Sequence, residues 1–477
     1  MAKADMRGRP TGARASPSIS DSDRTAVGTP QAPVQTPVAS RQLAIYYALL
    51  VTEAVSLIGS QISGYAISIA VFRATGRAAP LTLVAFFSAA PAILLGGYAG
   101  ALADRFDRRG VMLIANLGFV AVSGLLLLSF ASGAFHLWHL YVLTLGASLF
   151  AALERPAFQA SIAMLVPDRH RDRANALRQI TGSAAGVIAP AVAGLLYALV
   201  GVVGSISLDI ATFIAAIAVL AVVRIPRPPE SVEARARRAA VWRQVFDGFH
   251  YLSARPVLLG FCGYVSVVNF VANTVVVLLT PYVLARTGST QLLGMVMAEM
   301  SCGGIAGALV ISAGGRVGSR MNTVMLGIVA AGLFLGLAGV AREALALGAS
   351  LFLMLFALAF TDAPFWSILQ AKVAPDLQGR VFAAYLQVIM LMSPLAFLVA
   401  GPLADRVFEP ARRQPIWRSV GWLVGVGPGA GMGMMFIVAG ALILALSLAA
   451  YAIPAVRRLE ADLPDHVTAV WGGSAQD

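Results

Sequence analysis

The sequence predicts an all-α membrane protein of twelve transmembrane helices in two six-helix bundles, and three observations predict it. Hydrophobic residues make up 58% of the 477 residues and charged residues only 12%, too little polar surface for such a chain to cover itself in water. The apolar residues fall in runs of about 20, the length that crosses a bilayer core. These runs lack the two-residue alternation in short segments that marks a β-barrel.

The runs are Leu43–Phe72, Pro80–Leu102, Gly110–Ala131, Trp138–Val166, Ala174–Val200, Gly204–Val223, Val257–Leu284, Leu292–Ala313, Met321–Val340, Leu345–Val373, Val381–Ala404 and Gly431–Val456. Residues 1–40 are rich in Pro, Ser, Ala and Thr with scattered charge, which reads as a disordered tail rather than a signal peptide. Residues 225–256 are charged and separate six runs from six, so 41–224 and 257–457 form two halves. The linker contains "VWRQVFDGFHYL", an amphipathic stretch expected to be partly helical. Residues 458–477 form a second tail.

Twelve spans put both termini on one side. If that side is the cytoplasm, inner segments hold 26 of the 35 Lys and Arg, outer segments hold 8, and Arg155 lies within a span. The positive-inside rule therefore predicts cytoplasmic termini in a plasma (inner) membrane. This topology accounts for the net charge of +12, and no nucleic-acid partner is needed. Cys262 and Cys302 both lie in spans, which excludes a disulfide framework.

The halves read as copies. Ala-Gly-Ala-Leu occurs at 99–102 and 306–309, Arg173 precedes the fifth span as Arg380 precedes the eleventh, and Gly194 matches Gly401, each pair 207 residues apart. "VPD" at 166–168 and "APD" at 374–376 are 208 apart. In this register the partner of "GALAD" (100–104) is "GALVI" (307–311). The similar word "GPLAD" at 401–405 is therefore not its repeat copy.

A loop pattern of Gly100, Asp104, Arg105, Arg108 and Arg109 between the second and third spans, with twelve spans and paired halves, resembles the major facilitator superfamily over residues 41–457. The fifth span carries Gly182, Gly186, Pro190 and Gly194, similar to the family's antiporter signature with Ala189-Pro190 in place of Gly-Pro. "DRHRDRANAL" and "RVFAAYLQ…GPLADRVFEP" look most like the branch of enterobactin-type and macrolide exporters. The resemblance implies the major facilitator fold and alternating access. It also implies that Asp104 sits near the start of the eleventh helix, beside Arg380, where a helix dipole favours an anion. Small residues at every fourth position also allow plain close packing, with Gly303 and Gly307 as the facing pair.

Charges inside the spans carry the mechanism. Glu154 lies 13 residues before Pro167 and Asp362 lies 13 before Pro375, with Pro156 and Pro364 two positions beyond each acid. The repeat thus places a carboxylate at equal depth in the fourth and tenth spans, roughly 20 Å from their inner ends. Glu53 and Glu299 are also deep. Such acids face a cavity, pair with a cation, or exchange a proton. Proton coupling by Asp362, Glu154 with Arg155, Glu299 or Glu53 is one reading; a static network that ties helices together is the other. Asp209, near the outer end of its span, reads as a polar anchor. Ser56, Ser60 and Ser63 continue the helical stripe of Glu53, and Ser266, Asn269 and Asn273 form another. With Phe158, Gln159, Phe365 and Trp366 they suggest a pocket for an amphiphilic molecule, although interhelical hydrogen bonding explains any single Ser or Asn equally well.

Other classes find no support. The only lysines are Lys3 and Lys372, neither in a phosphate-binding "GxxxxGK" loop. No nucleophile–base constellation is present, the histidines lie outside or at the ends of spans, and no cofactor or metal is expected. The sequence therefore reads as a monomeric secondary transporter that exports a small amphiphilic compound (drug, siderophore or peptide-like metabolite) in exchange for protons. The alternatives are a proton-coupled importer and, from another class, a non-transporting sensor or scaffold.

Overall fold

The computed structural model describes residues 37–103, 106–167, 170–223, 249–314 and 318–457. The first half comprises α1 (Pro37–Thr75), α2 (Ala79–Ala103), α3 (Arg108–Ala131), α4 (Leu137–Leu165) and α5 (Arg171–Val222). The second comprises α6 (Pro256–Val276), α7 (Leu279–Thr287), α8 (Thr290–Ser312), α9 (Arg320–Val340), α10 (Ala344–Lys372) and α11 (Pro375–Leu403). A π-helical turn follows at Ala404–Phe408, then α12 (Trp417–Val424) and α13 (Ala430–Ala452). Most of the linker, including residues 241–248 of its amphipathic stretch, and the greater part of both tails lie outside the described residues; residues 249–253 are helical.

Twelve spans are accounted for. At 1.5 Å per residue α5 would measure about 78 Å, more than twice a bilayer core. Gly201, with φ 66° and ψ −166°, breaks it into the fifth and sixth spans. Only glycine takes this conformation without strain. The seventh span, expected as one helix, is interrupted at Val277 and Leu278, so α6 and α7 share it. The amphipathic helix α12 has no counterpart among the expected elements; it falls in the connection expected outside the membrane between the last two spans.

Interior prolines mark where one helix lends a carbonyl to another. Pro91 has no N–H for the Phe87 carbonyl, and Ser148 of α4 donates to it at 3.0 Å. Pro190 likewise frees the Gly186 carbonyl, which accepts from Ser301 of α8 at 2.8 Å.

The halves meet along two crossings related by the repeat. A Cβ at Gly194 of α5 would overlap the Thr290 carbonyl at the start of α8. A Cβ at Gly401 of α11 would overlap Thr82 and Ala79 at the start of α2. Both glycines are there for close approach, and Thr82 and Thr290 are themselves 208 apart. Towards the start of α5 a Cβ at Gly182, about 120° round the helix from Gly194, meets nothing within 4 Å. The same holds at Gly379 near the start of α11. The halves are therefore closed together at the end remote from the chain termini and diverge towards the end that carries them.

Buried residues repeat this picture. The second half has one large core running from Leu252 to Ala450, with a small packet around Trp417 beside it, and the large core takes Ile69 and Ala78 from the first half, both at the closed end. The first half's own buried residues fall into separate clusters around Tyr46, Ile206 and Ile62.

Gly303 and Gly307 do not face α5 as expected. They sit on the opposite side of α8 from Thr290, Gly294 and Ser301, at 100° per residue, and press on the Phe352 and Phe356 backbone of α10. Gly303→Val should cost about 1–3 kcal/mol by overpacking. It should lower the melting temperature of the purified protein, whereas Gly182→Val should leave it unchanged.

Candidate functional site

In the first half a polar cluster joins four helices. Asn116 of α3 donates to the Glu154 carboxylate of α4 at 2.7 Å, and both side chains are buried. Glu53 of α1 lies within electrostatic range of Glu154, Arg155 and Arg178. One turn beyond Arg155, the Gln159 side-chain oxygen accepts from the Arg178 guanidinium of α5 at 3.2 and 2.9 Å. Two acids and two guanidiniums thus share one region, which keeps its net charge near zero and lets each ion offset the desolvation of the others.

The second half answers with an aromatic cluster, in which Phe261, Phe365 and Tyr385 are buried in the core and Trp366 and Phe382 are partly exposed. Asp362 of α10 shares a helix face with Phe365 and Trp366, at spacings of three and four. Tyr385 of α11 lies 4.9 Å from Phe365 and 5.8 Å from Trp366, ring centre to ring centre. Phe261 of α6 and Phe382 of α11 complete the group. Asp362 is exposed, lies within electrostatic range of Tyr385, and forms no ion pair among the described residues.

The two half-sites occupy matching positions. Gln159 and Arg178 lie 207 residues before Trp366 and Tyr385, and Glu154 lies 208 before Asp362. Where one half uses a polar pair, the other uses an aromatic pair in the same frame. Arg178, Asn116, Tyr385 and Phe382 were not among the residues singled out from sequence. Arg178 is one of the 26 basic residues that the inner segments hold. The 207-residue spacing of the two pairs was the signal that could have found it, and with it Tyr385.

Several expected site residues are placed elsewhere. Ser56 donates to the Thr212 carbonyl at 3.3 Å and Ser60 to Asp209 at 2.8 Å, both on the second arm of α5. Ser123 of α3 donates to the other Asp209 oxygen at 3.2 Å. This stripe ties helices together and does not line a cavity. Phe158 is 4% exposed, in the core with Tyr46, Met112 and Ile162. Glu299 lies against Gly348 of α10, in a helix–helix contact. Asn273 donates to both oxygens of Asn269 within α6, and both side chains are partly exposed.

Asp104 and Arg105 lie outside the described residues, and Gly100 belongs to α2. Arg109 donates to the Leu220 and Ala221 carbonyls at 2.7 and 2.6 Å, placing a cation on the C-terminus of α5 where the dipole favours it. Arg108 donates to the Ala160 carbonyl of α4 at 2.9 Å. Both hold their own half together. Arg380 stands in the second turn of α11.

The family model described as Major Facilitator Superfamily matches residues 49–397. The chain belongs to the major facilitator superfamily. Among relatives of this member, the Bacillus subtilis protein named "Uncharacterized MFS-type transporter YfiS" is 26% identical over 75% of this chain and 86% of its own length. "Macrolide efflux protein A" of Streptococcus pyogenes is 23% identical over 87% of this chain and 97% of its own length. A crystal structure of a bacterial homologue of the human lysosomal transporter Spinster, inward-facing and unoccupied, shares the fold. Its TM-score is 0.63 at 14% identity, covering 90% of this chain and 98% of that one. As a superfamily member the chain is a multi-pass membrane transporter of small molecules, not an enzyme, and its efflux-named relatives agree with the exporter branch inferred from its loops.

Proposed function

We propose that this transporter exports a small amphiphilic organic compound in exchange for protons, working as a single chain in the plasma (inner) membrane with both termini in the cytoplasm. One observation carries the reading: the matched half-sites pair a polar patch (Glu53, Glu154, Arg155, Gln159, Arg178) with an aromatic one (Trp366 and Phe382, backed by the buried Phe365 and Tyr385), with a carboxylate at the same depth in each. A molecule with one hydrogen-bonding end and one apolar or aromatic face fits both. Asp362, exposed and without an ion pair among the described residues, is the acid best placed to gain and lose a proton, while Glu154 and Glu53 stand among cations. The efflux name of the streptococcal relative supports the outward direction. The divergent end of the molecule then faces the cytoplasm, where cargo for export is loaded.

Counterflow in proteoliposomes tests transport itself, and the direction of flux under an imposed pH gradient tests antiport. Net uptake driven down the proton gradient into right-side-out vesicles would overturn export in favour of symport. Orientation has its own measurement. In a background lacking Cys262 and Cys302, Arg412→Cys should label with a membrane-impermeant maleimide added outside intact cells, and Asp107→Cys should not. The reverse result would invert the topology.

A further inference from the structure

The start of α2 is capped by the other half of the molecule. The first N–H groups of a helix have no partner within it. Here the Ala78 N–H donates to one Asp405 carboxylate oxygen at 2.9 Å and the Ala79 N–H to the other at 2.8 Å. Asp405 lies 327 residues from Ala78, in the π-helical turn that ends α11. The repeat-related crossing is built differently. There α8 is capped by its own Ser289, whose hydroxyl accepts from the Leu292 N–H at 3.2 Å, and the residue 207 before Asp405 is Ala198. One turn past Asp405, Glu409 accepts from the Met432 N–H of α13 at 3.1 Å, within its own half. Of these two neighbouring acids, only Asp405 crosses between halves.

We propose that Asp405 is the latch of the closed end: its two bonds to the start of α2 exist only while the halves are together there, so it biases alternating access towards the state open at the termini. When the halves part, an anion and two helix-terminal donors lose one another at once, and water replaces them. The other contacts described at this end, Gly194 on Thr290 and Gly401 on Thr82, are close packing with one neutral hydrogen bond, from the Thr290 hydroxyl to the Gly194 carbonyl at 3.3 Å, and neither carries a charge. The word "GPLAD" thus has a task of its own at the end opposite "GALAD". The inference needs alternating access, which comes with the superfamily. It does not depend on the substrate or the coupling ion.

The experiment uses the full chain without its native cysteines, carrying Thr290→Cys at the other crossing as reporter. Thr290 is 3% exposed, so a membrane-impermeant maleimide reaches that site only when the closed end opens. Asp405→Asn should raise the labelling rate by about fivefold to thirtyfold, the range for an anion at a helix start, and Asp405→Ala by at least as much. Ala79→Pro removes one donor at the first helical position, where proline is tolerated. It should raise the rate with the carboxylate intact, and it keeps the test open if the Asp405 variants fold poorly. Glu409→Gln should label at the parental rate. Parental rates in both Asp405→Asn and Ala79→Pro, or an equal rise in Glu409→Gln, would overturn the latch.

Discussion

Asp362→Asn should abolish proton-driven, uphill transport and leave substrate exchange at equal pH measurable. An amide of nearly the same shape leaves the aromatic cluster beside it undisturbed, and it removes the carboxylate that can bind and release a proton. Cavity alternation needs no proton transfer of its own, so exchange survives while accumulation against a gradient falls to that of empty vesicles. Paired measurements of exchange and of pH-driven uptake in proteoliposomes separate the two. Full accumulation by Asp362→Asn would move the coupling site to the first half, with Glu154 and Glu53 next to be tested.

The second large effect is on stability. Glu154→Gln should cost about 1–3 kcal/mol, because the buried Asn116 loses an ionised acceptor and Arg155 and Arg178 then share one acid, Glu53. The glutamine oxygen still accepts from Asn116, so the loss isolates charge from hydrogen bonding. Glu154→Gln combined with Arg155→Gln should recover part of the deficit, since charge balance returns and residues in contact do not add independently. Thermal unfolding of the three variants in detergent decides it. No recovery in the double variant would show that Glu154 does not act through Arg155.

Much of the fold was legible because lipid imposes a one-dimensional rule: a span is an apolar run of fixed length. The 207-residue register was legible too, and in the structure Gly194 and Gly401 do equivalent work at the two crossings. Direction around a helix was less accessible. Ser56, Ser60 and Asn269 lie on polar stripes in the sequence, but a stripe turns to an aqueous cavity or to a neighbour according to what packs beside it. For Ser56 and Ser60 that neighbour is Thr212 and Asp209 of α5. Gly303 and Gly307 matched α5 by spacing, and only the rotation of α8 shows that they serve α10. Arg178 was hidden by its closeness to the basic inner loop. Asp405 stands in the word "GPLAD", but nothing in that word shows its task, since a carboxylate bound to two main-chain N–H groups in the other half requires no particular residue as its partner.

The uneven division of the core has a consequence for ligand screening. The second half rests on one large apolar body that also grips Ile69 and Ala78, with only a small packet around Trp417 apart from it, whereas the first half is assembled from smaller packets joined by hydrogen bonds such as those of Ser60 and Ser123 to Asp209. Cooperative units of different strength open separately, the weaker first. A compound that bridges the polar and aromatic half-sites lends the first half the rigidity of the second. Its binding will therefore register chiefly as slower amide exchange across residues 43–223, even when the final collapse of the molecule shifts by only a degree or two.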